Sequence, residues 1–218
     1  MSKDPSDLTI SPRNYTCKVP ESARILVLRH GQSEWNALGR WQGQADIELT
    51  DLGYEQARRA ADKLGMFDAI ASSDLRRARL TATFIAEGLG VGLLAPDPRF
   101  RETDVGDWQG LTHDQIERDW PGYLATHKRP DNFESDESIV ARVTNALVDL
   151  ATEFSGGEIL CVAHAGVLRV MRRSLRVVDS RIPNLGGCEF IVRPGHHDPI
   201  SVGDIVELFE HGEIGEEL

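Results

Sequence analysis

The sequence predicts an α/β fold of three layers, α/β/α, in which helices cover both faces of a mostly parallel central sheet. Short, continuous apolar runs at 24–28 and 158–163 have the length and composition of strands that are buried on both faces. Apolar residues at helical spacing follow these runs, for example over 50–65 and 167–177. This alternation of strands and helices along the chain is typical of α/β domains.

Most of the predicted elements have a recognisable boundary. Thr50 is suited to cap the first long helix, and a glycine at residue 65 is suited to end it. Ser73 or Asp74 is suited to start the next helix. The predicted elements are, in chain order, a strand at 24–28, a helix at 50–65, a strand at 67–73, a helix from 73 or 74 to 88–92, a short edge strand at 91–95, a short helix at 112–119, a helix at 135–154, a strand at 158–163, a helix at 167–177, and closing strands at 187–194 and 201–209.

The chain is predicted to form one domain with a short segment at either end. Residues 1–22 contain three prolines among polar side chains and are expected to form a flexible leader. Residues 23–209 form the domain, in which the less regular stretch at about 105–134 is expected to act as a cap. Residues 210–218 are expected to form a frayed acidic tail.

The formal net charge of −11 argues against nucleic acids and anionic membranes as partners, because both bind basic surfaces. The chain contains no run of 18 apolar residues, and its first twenty residues lack the apolar core of a secretory signal. We therefore expect a cytoplasmic protein that binds a small anionic metabolite in a locally basic pocket. A homodimer is compatible with these features.

The cysteine and histidine pattern does not indicate a metal site. Cys17, Cys161 and Cys188 are too widely spaced for a disulfide framework or for a paired-cysteine metal site. His196 and His197 invite a metal interpretation, but they follow Pro-Gly in what we expect to be a surface turn. We expect no bound metal and no cofactor.

Two histidines occupy the positions where α/β sheets gather ligands. His30 follows the first buried strand and His164 follows the third, and loops at the carboxyl ends of such strands carry binding residues. Arg29 adds a guanidinium beside the first histidine, a glycine offers a backbone N–H, and Ser33 and Asn36 offer a hydroxyl and an amide. These groups together suit a phosphate.

Two further side chains are expected to complete the pocket. Arg77 lies near the start of a helix, where helix amides also attract anions, although Arg76 is an alternative. Glu102 is the candidate acid that protonates a departing alkoxide. It can instead be a buried ion-pair partner of Arg99 or Arg101, in which case Asp104 and Asp107 are the alternative acids.

Five sequence motifs surround these candidate residues. They are LRHGQSEWN at 28–36, LTDLG at 49–53, SSDLRRA at 72–78, RETDVGDWQGLT at 101–112 and VAHAG at 162–166. These motifs resemble the histidine phosphatase, or phosphoglycerate-mutase-like, superfamily, and they occur in the order and spacing of that family. The likeness spans residues 24 to about 192 and is especially close to glucosyl-3-phosphoglycerate phosphatases of actinobacteria.

This resemblance implies a phosphoglycerate-mutase-like fold and a metal-independent reaction through a phosphohistidine. His30 is implied to be the nucleophile, Glu102 the proton donor, and Arg29, Arg77 and His164 the groups that stabilise the transferring phosphoryl group. The implied substrate-binding residues are Gly31, Ser33, Asn36, Gln42 and Gly43.

The expected activity is hydrolysis of a small sugar- or glycerate-phosphate. A phosphoglycerate mutase is the alternative enzyme, but mutases of this kind carry a longer insertion between the acid and the second histidine. Glu102 and His164 are only 62 positions apart (164 minus 102). A non-catalytic relative that binds a phosphorylated ligand is a further alternative, although His30, Glu102 and His164 are all present.

Overall fold

A computed structural model describes residues 21–209, so most of the predicted leader and all of the predicted acidic tail lie outside the described residues. A five-stranded sheet with the strand order β2-β3-β1-β4-β5 forms the centre. The first three of these strands are parallel to one another, β4 pairs antiparallel with β1, and β5 pairs antiparallel with β4. The strands are β1 (Ala23–Arg29), β2 (Ala69–Ser72), β3 (Glu158–Ala163), β4 (Gly186–Val192) and β5 (Ile200–Glu207).

Helices cover both faces of this sheet, which confirms the predicted three-layer α/β/α class. The pair α2 and α3 packs on one face, and the pair α5 and α6 packs on the other. The sheet is less parallel than expected: β4 and β5 are joined by the short connection at 193–199, and a parallel pair needs a much longer crossover. The helices are α1 (Glu34–Ala37), α2 (Asp51–Lys63), α3 (Arg76–Leu89), α4 (His113–Asp119), α5 (Asp136–Glu153) and α6 (Ala165–Ser174).

The core is split by the sheet into two apolar clusters. Along β1, Ile25 and Val27 face the α5 and α6 layer, whereas Leu28 faces the α2 and α3 layer. β3 alternates in the same way, with Ile159 on the first side and Leu160 on the second. Because both faces are covered, neither strand shows the apolar-polar alternation of a half-exposed sheet.

Local side-chain chemistry fixes most helix boundaries. The Thr50 hydroxyl accepts a hydrogen bond from the Gly53 N–H at 3.0 Å and caps α2, as predicted. The expected start of α3 at Ser73 or Asp74 is wrong, because the helix begins at Arg76. The Asp74 carboxylate binds Arg101 through two hydrogen bonds of 2.8 and 2.6 Å and is therefore not available as a cap.

Two smaller predictions also need correction. The predicted edge strand at 91–95 is reduced to a single bridge between Leu93 and Ile70, since Pro96 follows and cannot donate to a ladder. The predicted helix at 167–177 begins earlier, at Ala165, directly after the loop histidine. No helix among residues 21–209 is long and apolar enough to cross a membrane.

Residues 105–134 build a separate, smaller apolar cluster beside the sheet. Val105, Trp108 and Ile116 are buried at its centre. The indole ring of Trp108 packs edge-on against Trp41, with 5.2 Å between ring centroids, and against Phe133 at 5.7 Å. This cluster fixes a wall beyond the carboxyl ends of the parallel strands, where the candidate site lies.

Candidate active site

The imidazole of His30 is buried and held in one tautomer. Its Nδ1 lies 2.6 Å from the Gly31 carbonyl oxygen, which only accepts, so Nδ1 carries the proton. Its Nε2 lies 3.2 Å from the Nε–H of Arg77, which only donates, so Nε2 keeps a lone pair. The backbone of His30 is also fixed, because its N–H donates to Ala163 and its carbonyl accepts from the Asn184 side chain. The ring therefore presents a nucleophilic nitrogen.

Arg77 places a positive charge against this nitrogen. Its side chain is buried in the first turn of α3 and donates to the Gly43 and Ala45 carbonyl oxygens at 2.9 and 2.7 Å. Burial lowers the pKa of Arg77 to about 10, so the guanidinium is still charged at neutral pH. The alternative residue, Arg76, is instead half-exposed and pairs with Glu48 at 2.6 Å.

His164 lies opposite His30 because β1 and β3 are parallel neighbours. Their register pairs Arg29 with Ala163, which brings the two following histidines to one edge of the sheet. The imidazole centroids are 5.2 Å apart and the rings meet edge-on. Neither ring nitrogen of the buried His164 has a hydrogen-bond partner among the described residues.

Both imidazoles are held in the neutral form. Burial, followed by the charges of Arg77 and Arg29, keeps the pKa of His30 well below the usual imidazole range. Burial, followed by the charge of Arg77, has the same effect on the pKa of His164. A neutral His30 is the form that can act as a nucleophile.

Glu102 reaches the same space from the loop that follows Pro98–Phe100. One carboxylate oxygen accepts from the Thr103 N–H at 2.7 Å, and the other accepts from the Gly166 N–H at 3.1 Å, near the start of α6. Glu102 does not form the alternative ion pair with Arg99 or Arg101. Arg99 pairs with aspartates 97 and 149, and Arg101 pairs with aspartate 74. The two alternative acids, at 104 and 107, are exposed and do not line the cavity.

Arg142 holds the backbone around Glu102 in place. Its guanidinium donates to the carbonyl oxygens of Arg99, Arg101 and Glu102 at 2.7, 2.7 and 3.3 Å. The same group binds both carboxylate oxygens of Glu134 at 2.8 and 2.9 Å. Every guanidinium N–H is thereby used, so Arg142 positions the loop and not a ligand.

Next to these groups lies a cavity of about 830 Å³, and neither Arg142 nor the fully buried His164 is among the residues that line it. The predicted site residues that line it are Arg29, His30, Asn36, Gln42, Gly43, Arg77 and Glu102. Arg29 is held there by donating to the Ile182 carbonyl oxygen at 2.9 Å. The volume exceeds what a phosphate alone needs, and it lies in the range of small-molecule sites.

Two residues predicted to contact the substrate make hydrogen bonds within the protein. The Ser33 side chain is fully buried and caps α1, accepting from the Asn36 N–H at 3.2 Å and donating to its Oδ1 at 3.1 Å. The Gly31 N–H, expected to be open to phosphate, donates to the Thr81 hydroxyl at 3.1 Å. Gly31 is also packed closely on Gly53, where a Cβ atom would lie 2.7 Å from a carbonyl oxygen. Neither residue is among those lining the cavity.

Several basic residues of the cavity wall were not identified from the sequence. Arg169 and Arg173 lie one helical turn apart on α6, and this spacing is the one sequence feature that indicates that they share a face of the helix. The other basic residues of the wall are spread over separate segments and carry no motif. In total, eight Arg and Lys side chains line the cavity but only three Asp and Glu, whereas the whole chain has a net charge of −11. Residues 21–209 contain no cluster of His, Cys, Asp and Glu that is suited to a metal ion.

Comparisons with known proteins agree with this geometry. The model of the histidine phosphatase superfamily (branch 1) matches residues 25–185. A glucosyl-3-phosphoglycerate phosphatase of Mycobacterium tuberculosis is 38% identical over 180 residues, which cover 75% of this chain and 80% of the relative. A 2,3-bisphosphoglycerate-dependent phosphoglycerate mutase of Methylorubrum extorquens is 37% identical over 164 residues, covering 68% and 77%.

The fold is also that of a solved member. The structure of a mycobacterial glucosyl-3-phosphoglycerate phosphatase superimposes with a TM-score of 0.73 and 31% sequence identity, covering 84% of this chain and 97% of the solved one. The family match covers well over half of the chain, and it includes both histidines and Glu102. The chain therefore belongs to branch 1 of the histidine phosphatase superfamily.

Proposed function

We propose that this protein hydrolyses a small phosphomonoester through a phosphohistidine at Nε2 of His30, without a metal ion. The observation that carries the proposal is the His30 geometry: Nδ1–H donates to a carbonyl oxygen, and the Nε2 lone pair meets a buried, charged arginine. A phosphate drawn to Arg77 would meet this lone pair, and a positioned nucleophile needs little reorganisation to react.

In the first step, Nε2 attacks phosphorus and the bond between phosphorus and the ester oxygen breaks. Arg29, Arg77 and His164 stabilise the charge on the phosphoryl oxygens, a task that metal ions perform in kinases. Glu102 gives its proton to the departing alkoxide, which leaves as the alcohol.

In the second step, the Glu102 carboxylate accepts a proton from a water molecule while the water oxygen attacks phosphorus. The bond to Nε2 breaks, His30 returns to its neutral form, and inorganic phosphate leaves. Water can reach the site because His127, Lys128 and Arg129, which line the cavity, are exposed. This access and the short segment between Glu102 and His164 favour hydrolysis over mutase activity.

The substrate class that we propose is a sugar- or glycerate-phosphate. The relative from M. tuberculosis is named for such a substrate. The cavity supports the same class, because its volume leaves room for an organic part beside the phosphate-binding groups.

Purified enzyme should release inorganic phosphate in the presence of EDTA. The panel is glucosyl-3-phosphoglycerate, 3-phosphoglycerate, phosphoserine, α-ribazole phosphate and p-nitrophenyl phosphate, with phosphate measured colorimetrically. We expect one sugar- or glycerate-phosphate to be strongly preferred. Activity that returns only when a divalent metal is added would contradict the metal-independent mechanism. Interconversion of phosphoglycerates after priming with 2,3-bisphosphoglycerate, without phosphate release, would identify a mutase instead.

Gly166→Ala should lower activity without destabilising the fold. A Cβ atom at this position would overlap Oε1 of Glu102 and displace the carboxylate from its two N–H donors. Alanine has a higher helix propensity than glycine, so the change in backbone conformational preference should not lower the free energy of unfolding. We expect kcat/KM for an alkyl phosphate to fall at least about tenfold, as for a misplaced catalytic group. Gly92→Ala is the matched control, since a Cβ there meets nothing within 4 Å. Equal activity of the two variants would contradict a role for Glu102.

A further inference from the structure

The backbone that follows His30 lies directly against α2. A Cβ atom at Gly53 would overlap the carbonyl oxygen of Gln32, and one at Gly31 would lie 2.7 Å from the carbonyl oxygen of Gly53. Both positions need glycine, because a side chain at either would push the loop away from the helix. The Gln32 carbonyl oxygen also accepts a hydrogen bond from the N–H of Thr50, the cap of α2, at 3.0 Å. The start of this helix is therefore fitted to the loop that carries His30.

Gln56 adds a side-chain contact to this loop from about one helical turn beyond Gly53. Its side chain is buried, and its Oε1 accepts a hydrogen bond from the Gln32 N–H at 2.8 Å. A trans peptide is planar, so its N–H and its C=O point in opposite directions. The peptide between Gly31 and Gln32 therefore directs its C=O away from Gln56. That carbonyl oxygen lies 2.6 Å from Nδ1 of His30.

The preceding peptide, between His30 and Gly31, is held at both of its polar atoms. Its carbonyl oxygen accepts from the Asn184 side chain at 2.7 Å, and its N–H donates to the Thr81 hydroxyl at 3.1 Å. Thr81 belongs to α3, whereas Asn184 comes just before β4. Two successive peptides are thus fixed from three separate elements, and the surrounding protein sets the direction of the Gly31 carbonyl.

The direction of this carbonyl decides which nitrogen of His30 can attack. A neutral imidazole carries one ring proton, and the hydrogen bond made by one nitrogen selects the state of the other. With the Gly31 carbonyl in place, Nδ1 carries the proton and the Nε2 lone pair faces Arg77. Rotation of the peptide would remove the acceptor of Nδ1–H and release the ring from its orientation.

The hydrogen bond to Gly31 is also the one that can last through the reaction. Arg77 donates to Nε2, the nitrogen that attacks, so this bond must break when the lone pair forms a bond to phosphorus. The bond from Nδ1–H to the carbonyl oxygen lies on the other side of the ring and is not in the way. It becomes stronger as the phosphorylated ring gains positive charge.

We propose that Gln56 is a positioning residue for the nucleophile, which binds the Gln32 N–H and thereby aims the Gly31 carbonyl at Nδ1 of His30. The inference rests on the proposed phosphohistidine reaction and extends it to a residue that is not among those lining the cavity. Gln56 acts on the transfer step and not on phosphate binding. Arg29 and Arg77, the groups assigned to the phosphate, are held by other carbonyl oxygens.

Gln56→Met and Gln56→Glu test this role in the full chain. Methionine has a similar length but no oxygen for the Gln32 N–H, whereas glutamate keeps an acceptor at the same place. In Gln56→Met we expect kcat/KM for p-nitrophenyl phosphate to fall about 10- to 100-fold, as for a misaligned reacting group. The inhibition constant of inorganic phosphate should change little. Gln56→Glu should recover most of the lost activity.

The matched control is Gln115→Met. The Oε1 of Gln115 also accepts a backbone N–H, from Thr112 at 2.9 Å, but Gln115 does not line the cavity. This variant loses the same kind of hydrogen bond and should keep wild-type activity. Thermal unfolding is measured for every variant to show that it is folded at the assay temperature.

NMR of protein with isotope-labelled histidine gives a readout that does not depend on turnover. The short bond to Gly31 should give the Nδ1–H of His30 a downfield proton resonance, which is assigned by its absence in His30→Ala. We expect this resonance in wild type, Gln56→Glu and Gln115→Met. In Gln56→Met it should move upfield or broaden through exchange with water. A variant that is merely less stable, but folded, would keep it.

Three results would overturn the proposal. They are wild-type activity and resonance in Gln56→Met, equal losses in Gln56→Met and Gln56→Glu, and a wild-type ring that carries its proton on Nε2. The last result needs no variant, so the proposal stays testable if Gln56→Met does not fold. A wild-type protein that shows the resonance but does not hydrolyse p-nitrophenyl phosphate would instead overturn the proposed function.

Discussion

His30→Ala should reduce phosphate release about 10⁴-fold or more, because no other described side chain is placed to accept the phosphoryl group at this position. The buried imidazole is fixed at both nitrogens, and alanine removes the Nε2 lone pair that faces Arg77. Rapid quenching with labelled substrate should also trap an acid-labile, base-stable phosphate on the wild-type protein. That label should be missing from the variant.

The matched control is His197→Ala, in which an exposed histidine far from the cavity is truncated in the same way. Its activity should equal that of wild type. Because His30 is buried, thermal unfolding must show that the His30 variant is folded at the assay temperature. Residual activity above about one percent in a folded variant, or the same label on both proteins, would mean that another residue is the nucleophile.

The fold class followed from features that are local in sequence. Apolar runs such as 158–163 and caps such as Thr50 act within a few residues, so the elements they predict are close to those observed. The direction of β5 relative to β4 and the start of α3 depend on other information. The first is set by the length of a connection, and the second depends on Arg101, which is distant in sequence and occupies Asp74. Interactions of this kind are not visible in a single sequence.

The candidate site could also be predicted from sequence, because motifs mark its two histidines at the ends of two strands. His30, Arg77 and Glu102 all line one cavity, as the pattern indicated. Ser33 is predicted to contact the substrate because a hydroxyl beside a phosphate site and a helix cap have the same sequence signature, and the structure shows the cap. Basic residues of the cavity wall such as Arg129 and Arg169 carry no motif, since they come from segments that meet only in the folded protein.

Glu102→Gln should separate the leaving groups. Protonation by this residue matters most for a poor leaving group, so kcat/KM for an alkyl phosphate should fall about 10²- to 10⁴-fold. The loss for p-nitrophenyl phosphate should be small, because nitrophenolate departs without a proton. Activity is measured on both substrates with each enzyme, and the ratio of the two losses is the informative quantity.

This ratio also separates acid catalysis from a change in local structure. Both oxygens of Glu102 accept backbone N–H groups, from Thr103 and Gly166, and a glutamine would turn its own NH₂ towards one of these donors. A distortion of that kind would displace the loop and slow both substrates alike. Asp104→Asn, at the exposed alternative acid, is the matched control and should slow neither. Equal losses of activity on both substrates in Glu102→Gln would therefore mean that Glu102 only supports the structure of the loop. A selective loss for the alkyl phosphate in Asp104→Asn would mean that Asp104 is the proton donor.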